Sequence, residues 1–90
     1  MLTFTVGGQR IELSRDDVVG ALRGREPTEV RTHAVEVGGV VFPVKQALAL
    51  VTGLDLLDFT TNEARRVFKA LGFRVVRRGT AGRAESLEGA

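Results

Sequence analysis

The sequence has no cysteine, tryptophan or tyrosine, and it has a single histidine. Without cysteine there is no disulfide bond and no thiolate metal site, and one histidine excludes Cys/His zinc sites. No apolar run approaches the roughly 20 residues that span a bilayer. The N-terminal residues alternate instead of forming the apolar stretch of a signal peptide. These absences predict a cytoplasmic protein that uses neither a metal nor a cofactor.

The composition is that of a small globular protein. The chain has 90 residues, of which 43% are hydrophobic and 27% charged, so we expect one domain with one core. We place this domain at residues 1–78. Residues 79–90 lack a periodic apolar pattern, and we expect them to form a flexible C-terminal tail.

Two alternating stretches, each interrupted by a glycine pair, predict β-hairpins. Residues 2–13 alternate on both sides of Gly7-Gly8, and residues 30–42 alternate on both sides of Gly38-Gly39. Apolar alternation at period two is typical of half-buried strands, and a glycine pair suits a two-residue turn. A last alternating stretch at residues 73–78 predicts a C-terminal strand.

Three helices are predicted between and after the hairpins. Ser14 begins the first, with Asp17 at capping-box spacing. Pro43 ends a strand and begins the second helix, at residues 44–52. The third, at residues 61–71, follows a Thr60/Glu63 capping box. The fold class is therefore α+β, and the last two helices form a helix-turn-helix-like pair whose eight-residue connector is longer than the usual turn.

No arrangement of residues indicates an enzyme. No nucleophile can be placed beside His33, the one histidine that could act as its general base. The favoured interpretation is therefore a histidine in a strand or on the surface. Asp16 and Asp17 are adjacent on a helix and do not face each other. Asp55 and Asp58 lack the glycine pattern of a calcium loop, and no P-loop motif is present.

Positive charge is concentrated in residues 61–78, which carry six basic residues and one acidic residue. On the third helix, the polar side chains recur at the spacing of one helical face, opposite the apolar face. The strand that follows adds arginines. Together with Thr61 at the helix start and Lys45 on the preceding helix, the candidate nucleic-acid contacts are Asn62, Arg65, Arg66, Lys69, Arg74, Arg77 and Arg78.

Arginine and asparagine on an exposed helix are suited to reading guanine and adenine in the major groove. Lysines and flanking arginines would hold phosphates, and Thr61 lies where a helix N-terminus can bind one. Because tryptophan and tyrosine are absent, stacking on single strands is disfavoured and duplex DNA is the expected partner.

Two other interpretations stay open for the same charges. One is a protein-interaction module or accessory subunit whose basic face binds an acidic protein partner. The other is a solvated face with no partner, because cations near a helix end also suit the helix dipole. An exposed edge strand additionally offers a route to a homodimer.

Residues 36–77 resemble a pattern found in a family of DNA-binding modules. The matching positions are Phe42, Pro43, Lys45, Phe59 and Leu71-Gly72-Phe73. They resemble the small module that precedes HNH nucleases in bacterial restriction endonucleases specific for modified DNA, and they are similar to small stand-alone actinobacterial proteins of unassigned role. The resemblance implies a DNA-binding module without the nuclease. Val44 stands where that pattern has a second proline, and Phe42 where it has a tyrosine.

Overall fold

The chain forms two antiparallel sheets and three α-helices in the computed structural model, which describes residues 1–30 and 32–77. This arrangement confirms the predicted α+β class. The residues predicted to form a flexible tail, 79–90, lie outside the described residues.

The first hairpin joins β1, Leu2–Val6, to β2, Gln9–Leu13. Gly7 and Gly8 form the turn and both have positive φ, 58° and 79°. Positive φ at both central residues is the signature of the turn that matches the twist of two antiparallel strands, and glycine adopts it without steric cost. The predicted two-residue turn at the glycine pair is confirmed, and the turn fixes the register in which Leu2 pairs with Leu13.

The second sheet has three strands in the order β4-β3-β5. β3 spans His33–Val37, β4 spans Val40–Pro43, and β5 spans Arg74–Arg77. β3 begins later than the alternation from residue 30 predicted. The segment before β3 contacts the helix Val44–Thr52 instead, because the Thr28 N–H donates to Gln46 Oε1 at 2.8 Å.

The first helix, α1, spans Arg15–Leu22 and begins with the predicted capping box. The Asp17 N–H donates to Ser14 Oγ at 3.1 Å, and the Ser14 N–H donates to Asp17 Oδ2 at 2.9 Å. Each side chain thus satisfies a backbone donor that the helix leaves unpaired.

The other two helices, α2 and α3, follow at Val44–Thr52 and Thr61–Ala70, and they contact each other. Pro43 is the last residue of β4 and also the N-cap of α2, so the predicted strand-to-helix switch is confirmed. A short 3₁₀-helix, Leu56–Asp58, occupies the connector between the two helices. Within the described ranges, no helix combines the length and apolarity needed to cross a bilayer.

The core lies between the helices and the two sheets, and α3 contacts β1, β3 and β5. Its largest fully buried side chains come from both hairpins and all three helices. They include Val6, Val18, Val35, Phe42, Leu48 and Phe68. This shared core holds α3 rigidly and leaves its other side to the solvent.

Arg15 closes the far end of α3. Its Nη1 donates to the carbonyl oxygen of Leu71 at 2.8 Å, and its guanidinium carbon lies 4.2 Å from the centroid of the Phe73 ring. A cation at a helix C-terminus interacts favourably with the helix dipole, and here it also satisfies a free carbonyl. The N-terminus of α1 is thereby joined to the end of the helix that carries the predicted site.

Candidate nucleic-acid interface

The polar side of α3 forms a single shallow concave surface, here called the basic face. The capping box at Thr60 and Glu63 sets where the helix begins, and Ala64, Val67 and Phe68 turn into the core. The 3.6-residue period then directs the polar residues outward. The basic face is lined by Asn62, Arg65, Arg66 and Lys69, as the sequence predicted.

The cations of the basic face form no ion pair with an acid among the described residues, and the nearest acid on the helix is Glu63, whose pKa the charge of Arg66 helps to lower. Arg65 Nη1 donates to Asn62 Oδ1 at 3.3 Å, while Arg65 Nε is buried without a hydrogen-bond partner. Arg66 and Lys69 are exposed. Among residues 1–30 and 32–77, the sole ion pair joins Arg74 to Glu36. The charged groups of Arg66 and Lys69 are therefore available to an external anion, and Arg65 offers the part of its guanidinium that is not buried.

The two described arginines of β5 point to opposite sides of the sheet. Arg77 lies opposite His33, in the row that contains the buried Val35. Arg74 lies opposite Glu36, and the two side chains form an ion pair at 3.8 Å. Because side chains alternate along a strand, only Arg77 lies on the side that packs against α3. The structure thus places Arg77 beside His33 on the side of the sheet that faces α3, and Arg74 on the opposite side.

His33 lies among these cations, which the sequence did not indicate. Its Nδ1 is buried without a hydrogen-bond partner. Burial first, and then the positive charges of Arg65, Arg77 and Lys69, lower the pKa of His33 below its usual value. The position of His33 next to Arg77 depends on the register between β3 and β5. These strands are far apart in the sequence, so no local sequence pattern could have revealed it.

Lys45 and Thr61 line a groove that adjoins His33. Lys45 Nζ lies 5.5 Å from the centroid of the Phe59 ring, which directs this lysine along the connector before α3. Glu29 lines the same groove and contributes a negative charge. The structure therefore brings Lys45 and Thr61 together, in a setting of mixed charge beside the basic face.

The N-terminus of α3 is occupied by a carboxylate of the chain itself. Glu63 Oε1 accepts the Thr60 N–H at 2.9 Å, and Glu63 Oε2 accepts the Gly7 N–H at 3.2 Å. These backbone hydrogen bonds lower the pKa of Glu63. A phosphate at this helix end would face that negative charge, so side chains are the better candidates for phosphate contacts.

Arg78, the last of the predicted contacts, lies outside the residues that the structure describes. In the part of the chain that is described, no three His, Asp or Glu side chains come together as a metal site requires. The candidate interface consequently comprises the basic face with Arg77 and His33, and the adjoining groove with Lys45 and Thr61.

We expect His33 to make the protein less stable as the pH falls. Its pKa is lowered in the folded chain from the usual 6.5, so the unfolded chain binds this proton more readily. The free energy of unfolding therefore decreases below pH 6.5 and levels off below the folded-state pKa. Urea denaturation between about pH 7.5 and pH 5.5 measures the decrease.

The matched variant is His33→Gln, which keeps a neutral polar side chain and removes the titration. Its stability should change less over the same range. Glu63, whose usual pKa is 4.5 and is lowered here, loses its contribution only at more acidic pH. Equal losses in the wild type and the variant would show that His33 is not responsible.

Comparison with protein families matches most of the chain to a family model. A family model described as SCO5918-like matches residues 6–89. The match runs from the end of β1 through β5 and includes every residue of the candidate interface. No curated protein and no solved structure matches the chain.

Proposed function

We propose that this chain, which belongs to the SCO5918-like family, binds duplex DNA through the basic face. The observation that carries the proposal is the cluster of Arg65, Arg66 and Lys69 on one shallow surface. No carboxylate pairs with them among the described residues. Such a surface attracts a polyanion and releases counterions when it binds one.

Duplex DNA suits the shape and chemistry of α3. The helix has ten residues, and its buried side fixes it on the core. A helix of this length, about 15 Å, can enter a major groove. Asn62 and Arg65 carry the groups that pair with adenine and guanine edges, and their mutual hydrogen bond orients both. Arg66 and Lys69 are exposed and suited to phosphates.

Two further features support DNA as the partner. Arg77 continues the positive surface from the strand beside α3, and Lys45 extends it into the adjoining groove. The order of motifs in residues 36–77 also resembles that of the DNA-binding module of modified-DNA-specific restriction endonucleases. Because the chain has no tryptophan or tyrosine, stacking contacts to single-stranded bases contribute little, which favours the duplex.

We expect binding to random-sequence duplex DNA that weakens steeply with salt. Contacts from Arg65, Arg66, Lys69 and Arg77 give a slope of log K against log salt of about −3 to −4 between about 50 and 200 mM salt. Replacing two arginines, in Arg65→Ala/Arg66→Ala, should lower the affinity at least about tenfold and reduce the slope by about 2. Fluorescence anisotropy of labelled duplex measures both.

The matched control is Arg10→Ala/Arg74→Ala, which removes the same charge. Arg10 is exposed on β2, and Arg74 faces away from α3. This control should keep most of the affinity. No binding at about 50 mM salt would overturn the proposal. Equal losses in both double variants would place the site elsewhere. Binding of poly-glutamate but not of DNA would favour the acidic protein partner.

A further inference from the structure

Two leucines project from the connector between α2 and α3. Leu57 is 90% exposed and Leu56 is 46% exposed. We call the 3₁₀-helix Leu56–Asp58 with its N-cap Asp55 the dileucine turn. Scattered exposed leucines are ordinary, but two adjacent ones on a protruding turn leave an apolar area that water solvates poorly.

The dileucine turn is held in place by several contacts. Asp55 Oδ1 accepts the Leu57 N–H at 2.9 Å, and the Asp58 N–H donates to the Asp55 carbonyl at 3.0 Å. The backbone of Asp58 also packs against Gly7 of the first hairpin. Because the backbone is fixed, presenting the leucines to a partner requires little ordering of the loop.

An apolar pocket lies elsewhere on the same chain, between the end of α1 and the turn of the second hairpin. Its volume is about 420 Å³, within the range of ligand pockets. Its apolar lining includes Leu22, Val37 and Val40, and Val40 is 41% exposed. Two arginines, Arg23 and Arg25, stand at its edge. We call it the arginine-rimmed pocket.

The dileucine turn and the arginine-rimmed pocket are complementary in chemistry. The turn presents apolar side chains flanked by Asp55 and Asp58, and the pocket presents an apolar lining flanked by Arg23 and Arg25. None of these four charges forms an ion pair within residues 1–30 and 32–77. Opposite charges around an apolar contact select the partner and its orientation.

We propose that the dileucine turn of one copy of this chain docks into the arginine-rimmed pocket of a second copy. Leucine side chains fill the pocket, and the two aspartates approach the two arginines. The two surfaces differ, so the contact is head-to-tail, and a bound pair still offers one free turn on one copy and one free pocket on the other. The area is small, and we expect a dissociation constant on the order of hundreds of micromolar. Neither surface includes the basic face.

Sedimentation velocity from about 10 μM to 1 mM protein tests the contact. The wild type should associate progressively with concentration. Leu57→Ser, at an exposed site with little cost to folding, should stay monomeric. Arg23→Glu/Arg25→Glu, which reverses the charge at the pocket, should stay monomeric as well. Val41→Thr replaces an apolar residue that is 41% exposed outside the pocket, and it should associate like the wild type.

Mixing the two monomeric variants is the sharpest test. The Arg23→Glu/Arg25→Glu variant keeps an intact turn, and Leu57→Ser keeps an intact pocket, so a head-to-tail contact lets the mixture form heterodimers that grow no further. A wild type that stays monomeric at about 1 mM would overturn the proposal. So would wild-type association of Leu57→Ser, or a mixture that remains monomeric. Heteronuclear NMR of each variant confirms that it is folded.

Discussion

Replacing Gly7 by alanine is expected to lower the free energy of unfolding by about 3 to 6 kcal/mol. Gly7 has a φ of 58°, which strains any residue with a Cβ. A Cβ there would also overlap the backbone oxygen of Asp58, which no side-chain rotation can relieve. Moving the hairpin away would break the hydrogen bond from the Gly7 N–H to Glu63. Gly7→Ala would therefore disturb three features together: the turn, its contact with the connector and its hydrogen bond to α3.

The chain contains a closely matched control in its second hairpin. Gly38 has a φ of 59° in an equivalent glycine-pair turn, and a Cβ there meets nothing within 4 Å. Gly38→Ala therefore isolates the strain of the left-handed conformation, about 1 to 2 kcal/mol. Urea denaturation of both variants gives the difference. Similar losses would mean that the contact between Gly7 and Asp58 contributes nothing to stability.

We expect the second large effect from Phe68→Ala, a loss of about 3 to 5 kcal/mol. Phe68 is fully buried on α3, and its ring meets Phe73 edge-on with 6.2 Å between centroids. Removing it leaves a cavity between the helix and the sheet and takes away one side of the Phe73 packing. Since Arg15 stacks on Phe73, the closure of the end of α3 would loosen as well.

Two further phenylalanine variants calibrate this effect. Phe68→Leu keeps most of the volume and should cost less than about 2 kcal/mol. Phe4→Ala removes the same ring from a partly buried position on β1, where less apolar area is lost. Thermal and urea unfolding give the order of stabilities. A loss for Phe68→Ala no larger than that for Phe4→Ala would contradict the central position of Phe68.

The features that the sequence predicted well depend on near neighbours. The capping boxes at Ser14 and Thr60 join residues three apart, and the glycine pairs set their turns without outside help. The contacts that it missed join residues that are far apart in the sequence. Arg15 meets Leu71, and Gly7 meets Glu63, each across 56 residues. No periodicity or cap marks such pairs, because only packing brings them together.

The candidate interface likewise contains residues placed by local spacing and residues placed by contacts between distant parts of the sequence. Helical spacing by itself places Asn62, Arg65 and Lys69 on one surface. Alternation in the last strand indicates that Arg74 and Arg77 point apart. Which of the two faces α3 depends on how β5 pairs with β3, and that register also brings His33 to Arg77. The sequence alone does not specify this register.

The pairing of β5 with β3 also has a consequence for how the protein is synthesised. Each hairpin closes over a two-residue turn and can form once both of its strands have left the ribosome. β5 joins β3 only after α2, the connector and α3 have all left the ribosome, because His33 pairs with Arg77. Closing so long a segment is entropically costly and comes late. A nascent chain that ends at α3 already carries the arginines of that helix, but Arg77 and the rest of β5, the partner strand of His33, are translated only afterwards.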